Sequence, residues 1–147
     1  MAVEYRRRDS TVSATEYPAS DEHDGMRIDW DVPIEMDDGV VLRADVYRPP
    51  EEGEHPVIMS HGPYGKWLHF EQLYEDQWRT MVEGHPDVPS GSSNKYQCWE
   101  VVDPEKWVPD GYVVVRVDSR GSGRSPGYLD VRSHRERVTT AVLDHAH

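Results

Sequence analysis

Gly111-Tyr112-Val113-Val114-Val115-Arg116-Val117-Asp118, followed directly by Ser119-Arg120-Gly121-Ser122-Gly123-Arg124-Ser125, is the stretch on which the fold turns. A short run of β-branched residues closed by a turn signal reads as a strand buried on both faces. The glycines that follow permit a sharp turn at the strand's carboxyl end, where open α/β sheets hold their ligands. A phosphate-binding loop is the competing reading. It fails because no lysine follows the glycines as in a P-loop, and their spacing is not that of a dinucleotide fingerprint.

Working back toward the N-terminus, Pro56-Val57-Ile58-Met59-Ser60 reads as a second strand buried on both faces. Between the two strands, Trp67, Phe70, Tyr74, Trp78 and Met81 recur every three or four residues, which predicts a helix over Trp67 to Val82. Its aromatic stripe is most simply packing; the functional alternative is the wall of an acyl pocket. Gly84 to Asn94 reads as a polar loop. Strand, helix and strand in this order predict a parallel βαβ crossover.

Farther back, Ile28, Trp30, Val32, Ile34 and Met36 alternate with polar residues and predict a half-buried strand with all five on one face. Pro33 cannot donate to a ladder, which places that strand at a sheet edge. Asp37-Asp38-Gly39 supplies a tight turn into a second strand from Val40 to Tyr47. Residues 1–27 carry little apolar periodicity and read as a mobile leader.

The chain has 147 residues, enough for one domain or part of one with a core of its own. Its 28 acidic and 16 basic residues give a net charge of −12, which repels phosphate backbones and anionic lipid surfaces. Nucleic acid and membrane partners are therefore not expected. The basic residues are mostly arginine, a balance that suits a halophilic cytoplasm as well as an ordinary acidic protein. Cys98 is the single cysteine, so no internal disulfide can form, and no long apolar run marks a signal peptide or membrane span. A cytoplasmic setting is expected.

Two segments carry candidate chemistry. His61-Gly62 follows the Pro56 to Ser60 strand, where an oxyanion loop would lie, and Tyr64 offers a phenolic donor there. Acyl transfer passes through a tetrahedral intermediate whose oxygen needs fixed donors about 3 Å away. Alone, the same residues read as a turn with a packed tyrosine. Gly123-Arg124-Ser125-Pro126-Gly127 matches G-x-S-x-G, but an elbow serine sits on a turn leading from a strand directly into a helix, and the next amide serves the oxyanion hole. Ser125 lies well past its strand, and Pro126 has no amide hydrogen. Eight histidines, including His145 and His147, form no recognisable ligand spacing, so no metal and no cofactor are expected. Glu51-Glu52 and Asp37-Asp38 fall in turns, where solvation explains them better than acid-base chemistry.

Three ordered blocks resemble one family. They are Met36-Asp-Asp-Gly-Val-Val-Leu-Arg-Ala-Asp-Val-Tyr-Arg-Pro49-Pro50, Gly62-Pro-Tyr-Gly-Lys66, and Trp107-Val-Pro-Asp-Gly111 continuing through Ser125. Together they are similar to the cocaine esterase and Xaa-Pro dipeptidyl-peptidase-like (CocE/NonD) family, over roughly Asp29 to Glu136. Cys98-Trp99-Glu100 and Asp103-Pro104 resemble an insertion of its longer members. The resemblance implies the N-terminal portion of an α/β-hydrolase fold, a β-hairpin followed by a parallel βαβ unit, with residues 28–136 as a partial domain. It implies ester or amide hydrolysis through Ser, His and Asp, on a small-molecule ester or peptide substrate. By motif match it makes Tyr64 the catalytic residue that donates to the oxyanion hole.

The resemblance also implies a helix, a further strand and a nucleophile elbow beyond Glu136. Residues 137–147 instead form an atypical tail, and no recognisable triad is present. The expectation is an incomplete hydrolase, inactive by itself, arising by premature ending or a shifted frame. Two rival readings stand beside it: a noncatalytic binding domain that kept the hairpin and βαβ core, and a truncated product without function. The sequence leaves the oligomeric state open.

Overall fold

Four valines among the six residues of β5, Val113–Asp118, make it the strand around which the sheet is built, and all six residues are buried. The structure is a computed structural model and describes residues 20–129. The other strands are β1 (Ser20–His23), β2 (Met26–Glu35), β3 (Val41–Arg48) and β4 (Val57–Gly62). They form one mixed sheet in the order β1-β2-β3-β5-β4. The predicted parallel pair is present: β4 runs beside β5 from Val57 opposite Val113 to Gly62 opposite Asp118. The predicted hairpin is present too, and its second strand β3 joins β5 antiparallel. This is the architecture expected of the N-terminal portion of an α/β-hydrolase sheet.

The hairpin turn forms as its residues dictate. Gly39 takes φ 81°, the Met36 amide donates to the Val40 carbonyl at 2.8 Å, and the Asp38 side chain accepts from the Val40 amide at 3.2 Å.

The expectation that Ile28 to Met36 share one face is corrected. A β-bulge between Asp29 and Val32 sets one extra residue of β2 against β3, and Asp31 adopts φ 56°. A one-residue slip exchanges the faces. Met26 and Ile28 therefore pack with Tyr47, Val108 and Val114, against Trp30, Tyr96 and Val102. Val32 and Ile34 pack on the opposite face with Leu42, Ala44, Val46, Val113, Val115 and Val117.

Three further expectations change. Residues 20–27, read as leader, supply β1 and the start of β2. Hence β2 is not the edge strand; β1 pairs only with Met26–Asp29, so Pro33 still meets a ladder on one side alone, from β3. Second, β4 is only half-buried and Met59 is exposed, because β4 ends the strand order of the described residues. Third, the helix expected over Trp67 to Val82 is two, α1 (Phe70–Leu73) and α2 (Glu75–Gly84), broken at Tyr74 with φ −139° and ψ 63°. The Phe70 amide donates to the Gln97 carbonyl, and His69 forms a bridge to Cys98, so α1 is tied to the following insertion rather than free to continue into α2. A short helix α3 (Pro104–Trp107), capped by Asp103, leads into β5. The remainder of the leader and the tail 137–147 lie outside the described residues.

Candidate active site

The site is built where β4 and β5 end together. Their carboxyl ends are in register, Gly62 beside Asp118, so Tyr64 and the Asp118 to Ser125 turn leave the sheet at the same end. Backbone and side chains of the second loop then fasten the first. The Ser119 amide donates to the Gly62 carbonyl at 3.1 Å, and the Ser122 hydroxyl to the Pro63 carbonyl at 2.6 Å. Asp118 accepts the Lys66 amide at 2.6 Å on one carboxylate oxygen and the Arg124 amide at 2.9 Å on the other. Gly123 is required by this arrangement: at φ 52°, a Cβ there would stand 2.2 Å from the Asp118 carboxylate.

Tyr64 stands in the middle of that fastened loop with 40% of its surface exposed. Among the described residues its hydroxyl has no hydrogen-bond partner. His61 and Gly62, expected in a loop after the strand, are the last two residues of β4, and the loop begins at Pro63. Gly62 is not demanded by the protein's own packing, since a Cβ there would meet nothing within 4 Å.

Beneath the loop lies a cluster of charge that the sequence reading passed over. The Lys66 ammonium is buried and stands 2.7 Å from Asp31, 3.0 Å from Asp45 and 3.8 Å from Asp118. Asp31 reaches it because of the bulge, and its other oxygen meets Arg124 at 2.8 Å. Asp45 also accepts the Asp31 amide at 3.0 Å, which holds the bulge in place. Three carboxylates thus surround Lys66, and the Arg124 guanidinium joins the cluster through Asp31. Burial pushes the Asp45 and Asp118 carboxyls above their ordinary values, and the attraction of Lys66 only partly offsets it. For Lys66, burial works against the charged form, but Asp45, Asp118 and Asp31 outweigh it and raise its pKa. One signal was available in the sequence: Asp45 stands among Ala44, Val46 and Tyr47 in the middle of β3, where a lone carboxylate needs a partner.

Ser125 is buried and its hydroxyl is engaged on both sides, donating to the Asp118 carbonyl at 2.7 Å and accepting from the Arg43 amide at 3.0 Å. It is a brace between the turn and β3. Arg116, on the same face of β5 as Asp118, holds the insertion: its guanidinium donates to the Tyr96 carbonyl at 2.7 Å, the Val102 carbonyl at 2.8 Å and the Cys98 sulfur at 3.2 Å. It also lies 5.2 Å from the Tyr47 ring centroid. Burial raises the Cys98 thiol pKa, so the sulfur is a neutral part of the packing. The aromatic stripe meets the insertion: Trp99 packs on Phe70 at 4.8 Å and on Tyr74 at 4.5 Å between ring centroids. Phe70, Met81 and Trp99, with Asp76, Thr80 and His85, line an open cleft of about 620 Å³.

A mixed α/β sheet with a donor-bearing loop and a glycine turn at the carboxyl ends of adjacent parallel strands defines the N-terminal portion of an α/β-hydrolase. The chain belongs to the X-Pro dipeptidyl-peptidase (S15) family, whose profile matches residues 38–145. The match therefore extends past Glu136 into the tail segment. The chain is 30% identical over 119 residues to cocaine esterase of Rhodococcus sp. (strain MB1 Bresler), covering 78% of this chain and 16% of that protein. Two crystal structures of a CocE/NonD family hydrolase from Staphylococcus aureus are also similar. One has a TM-score of 0.61 at 34% identity, covering 82% of this chain and 20% of that one. The other has a TM-score of 0.56 at 35% identity, covering 76% and 18%. The chain thus spans a fifth or less of the length of each of these three relatives. No helix among the described residues is long and apolar enough to cross a membrane.

Proposed function

We propose that this chain is the N-terminal part of a serine hydrolase that cleaves small-molecule esters or peptide bonds in the cytoplasm, and that the Tyr64 hydroxyl is one donor of its oxyanion hole. The observation that carries the reading is the loop itself. Its backbone is bonded on both sides of Tyr64, while the phenol is left exposed and unengaged at the carboxyl end of β4. A donor held in advance stabilises a developing oxyanion without reorganising during the reaction. An oxyanion donor acts only after a nucleophile has attacked, and the buried, doubly bonded Ser125 is not placed for that role. The nucleophile, acid and histidine of the complete enzyme therefore come from outside the described residues. The family relationship supports the reaction class.

The test is to express the coding sequence read on beyond His147 together with this chain. The product is expected to hydrolyse a p-nitrophenyl acyl ester. Tyr64→Phe should lower kcat by about 10²–10³-fold, as for other oxyanion donors, with little change in KM. An active product indifferent to Tyr64→Phe would sink the oxyanion role.

A further inference from the structure

We propose that Lys66 is the positioning residue for Tyr64, its buried ammonium gathering three carboxylates from separate parts of the chain into the footing of the Tyr64 loop. The inference rests on the proposed role of Tyr64 but concerns how that side chain is held, which is measurable without any catalysis. Lys66 is two residues from Tyr64, and its side chain is only 3% exposed. The three carboxylates around it come from the β2 bulge (Asp31), the middle of β3 (Asp45) and the end of β5 (Asp118). Carboxylates gathered around one point in a buried site repel one another, and the ammonium between them offsets that repulsion. The ammonium therefore lets the Asp118 carboxylate stand beside those of Asp31 and Asp45 beneath the loop.

Asp118 in turn accepts the Lys66 amide and the Arg124 amide, and so ties the Tyr64 loop to the turn after β5. The Lys66 carbonyl accepts from the Cys98 thiol at 3.4 Å, which ties the loop to the insertion as well. Side chain, amide and carbonyl of one residue thus engage the hairpin, the turn and the insertion. A flexible lysine stem held at its tip among three carboxylates loses its rotamer freedom when the chain folds, not when substrate arrives. Tyr64 inherits that rigidity through two peptide units, one of them at Gly65 with φ 81°.

The experiment is ¹⁹F NMR of the full chain carrying 3-fluorotyrosine, with the Tyr64 signal assigned by Tyr64→Phe. In Lys66→Met, the Tyr64 resonance is expected to move to the position of an unfolded tyrosine, while the Tyr47 and Tyr112 resonances stay in place. A Tyr64 signal unchanged in folded Lys66→Met overturns the proposal. So does a Lys66→Met variant that still unfolds cooperatively but in which the Tyr47 and Tyr112 resonances move as far as that of Tyr64, since that is a general rearrangement and not positioning. Should Lys66→Met fail to fold, Asp31→Asn decides. It removes the most exposed of the three carboxylates and leaves Lys66 two partners, so a displacement of Tyr64 alone is expected and no displacement overturns the inference. Neither readout depends on hydrolysis. Tyr64 held by Lys66 but dispensable for turnover would sink the oxyanion reading and leave this one standing.

Discussion

The Lys66 amide donates to the Asp118 carboxylate at 2.6 Å across 52 positions of sequence, and this bond closes the loop after β4 onto the turn after β5. Asp118 is fully buried and accepts the Arg124 amide on its second oxygen, so each carboxylate oxygen holds one backbone amide. Whatever crowds that carboxylate disturbs both loops at once.

Gly123→Ala should therefore be severe and Gly62→Ala mild. The first places a Cβ 2.2 Å from Asp118 at positive φ, and the second meets nothing within 4 Å. A left-handed alanine costs about 1–2 kcal/mol before any clash. We expect Gly123→Ala to lose about 3 kcal/mol or more in urea unfolding, strain and crowding together, and Gly62→Ala less than about 1 kcal/mol. Equal losses would show that the Asp118 contact does not set the turn.

Burial raises the Asp45 carboxyl above its unfolded value of 3.8, and this fixes a pH slope. In the window from 3.8 up to the raised folded value, the folded chain binds more protons than the unfolded one, so Asp45's contribution to stability falls as pH rises. Asp45→Asn has no such group to ionise. The stability of Asp45→Asn relative to the parent should accordingly increase as pH is raised through that window, as read from melting temperatures of both proteins in parallel. A difference that is flat or declines with pH would mean that Asp45 is ionised and comfortable when buried.

Arg116 makes its bonds as a planar fork, which lysine cannot reproduce. Arg116→Lys should release the insertion from the sheet, at a cost on the order of 3 kcal/mol for two lost charge-assisted bonds. Limited proteolysis should then cut between Ser92 and Asp103 well before the strands. Unchanged protection of that segment would count against the clamp.

The 147-residue chain alone should not hydrolyse a p-nitrophenyl ester above a Tyr64→Phe control, and a fluorophosphonate probe should leave Ser125 unlabelled. Both oxygen lone pair and proton of Ser125 are committed, to Arg43 and Asp118. Covalent labelling at Ser125, with activity lost in Ser125→Ala, would make the short chain a hydrolase in its own right.

Much of this organisation is readable from periodicity. The valines of β5, the Asp37-Asp38-Gly39 turn and the glycines after Asp118 each act through local physics: burial of β-branched side chains, and backbone angles open mainly to glycine. The resemblance carried by Gly62-Pro-Tyr-Gly-Lys66 singled out Tyr64, and the turn after β5 was legible as its neighbour. The two faces of β2 were not. Alternation from Ile28 to Met36 looks unbroken, yet the bulge at Trp30-Asp31 reverses it, because what matters is how β2 counts against β3. The break at Tyr74 was hidden likewise, since bonds to the insertion compete with the next helical turn.

The sequence by itself determined the order of hairpin, strand, helical segment and strand, and the place of Tyr64 on a loop after β4, since strand period and turn chemistry depend on near neighbours. Only the tertiary structure decided that Asp31, Asp45, Lys66 and Asp118 form one cluster beneath that loop, and that Ser125 is a brace. Those residues come from the β2 bulge, β3, β5 and the loops after β4 and β5. They meet because the sheet brings the strand ends into register, and because carboxylates buried without a cation would be too costly to keep charged.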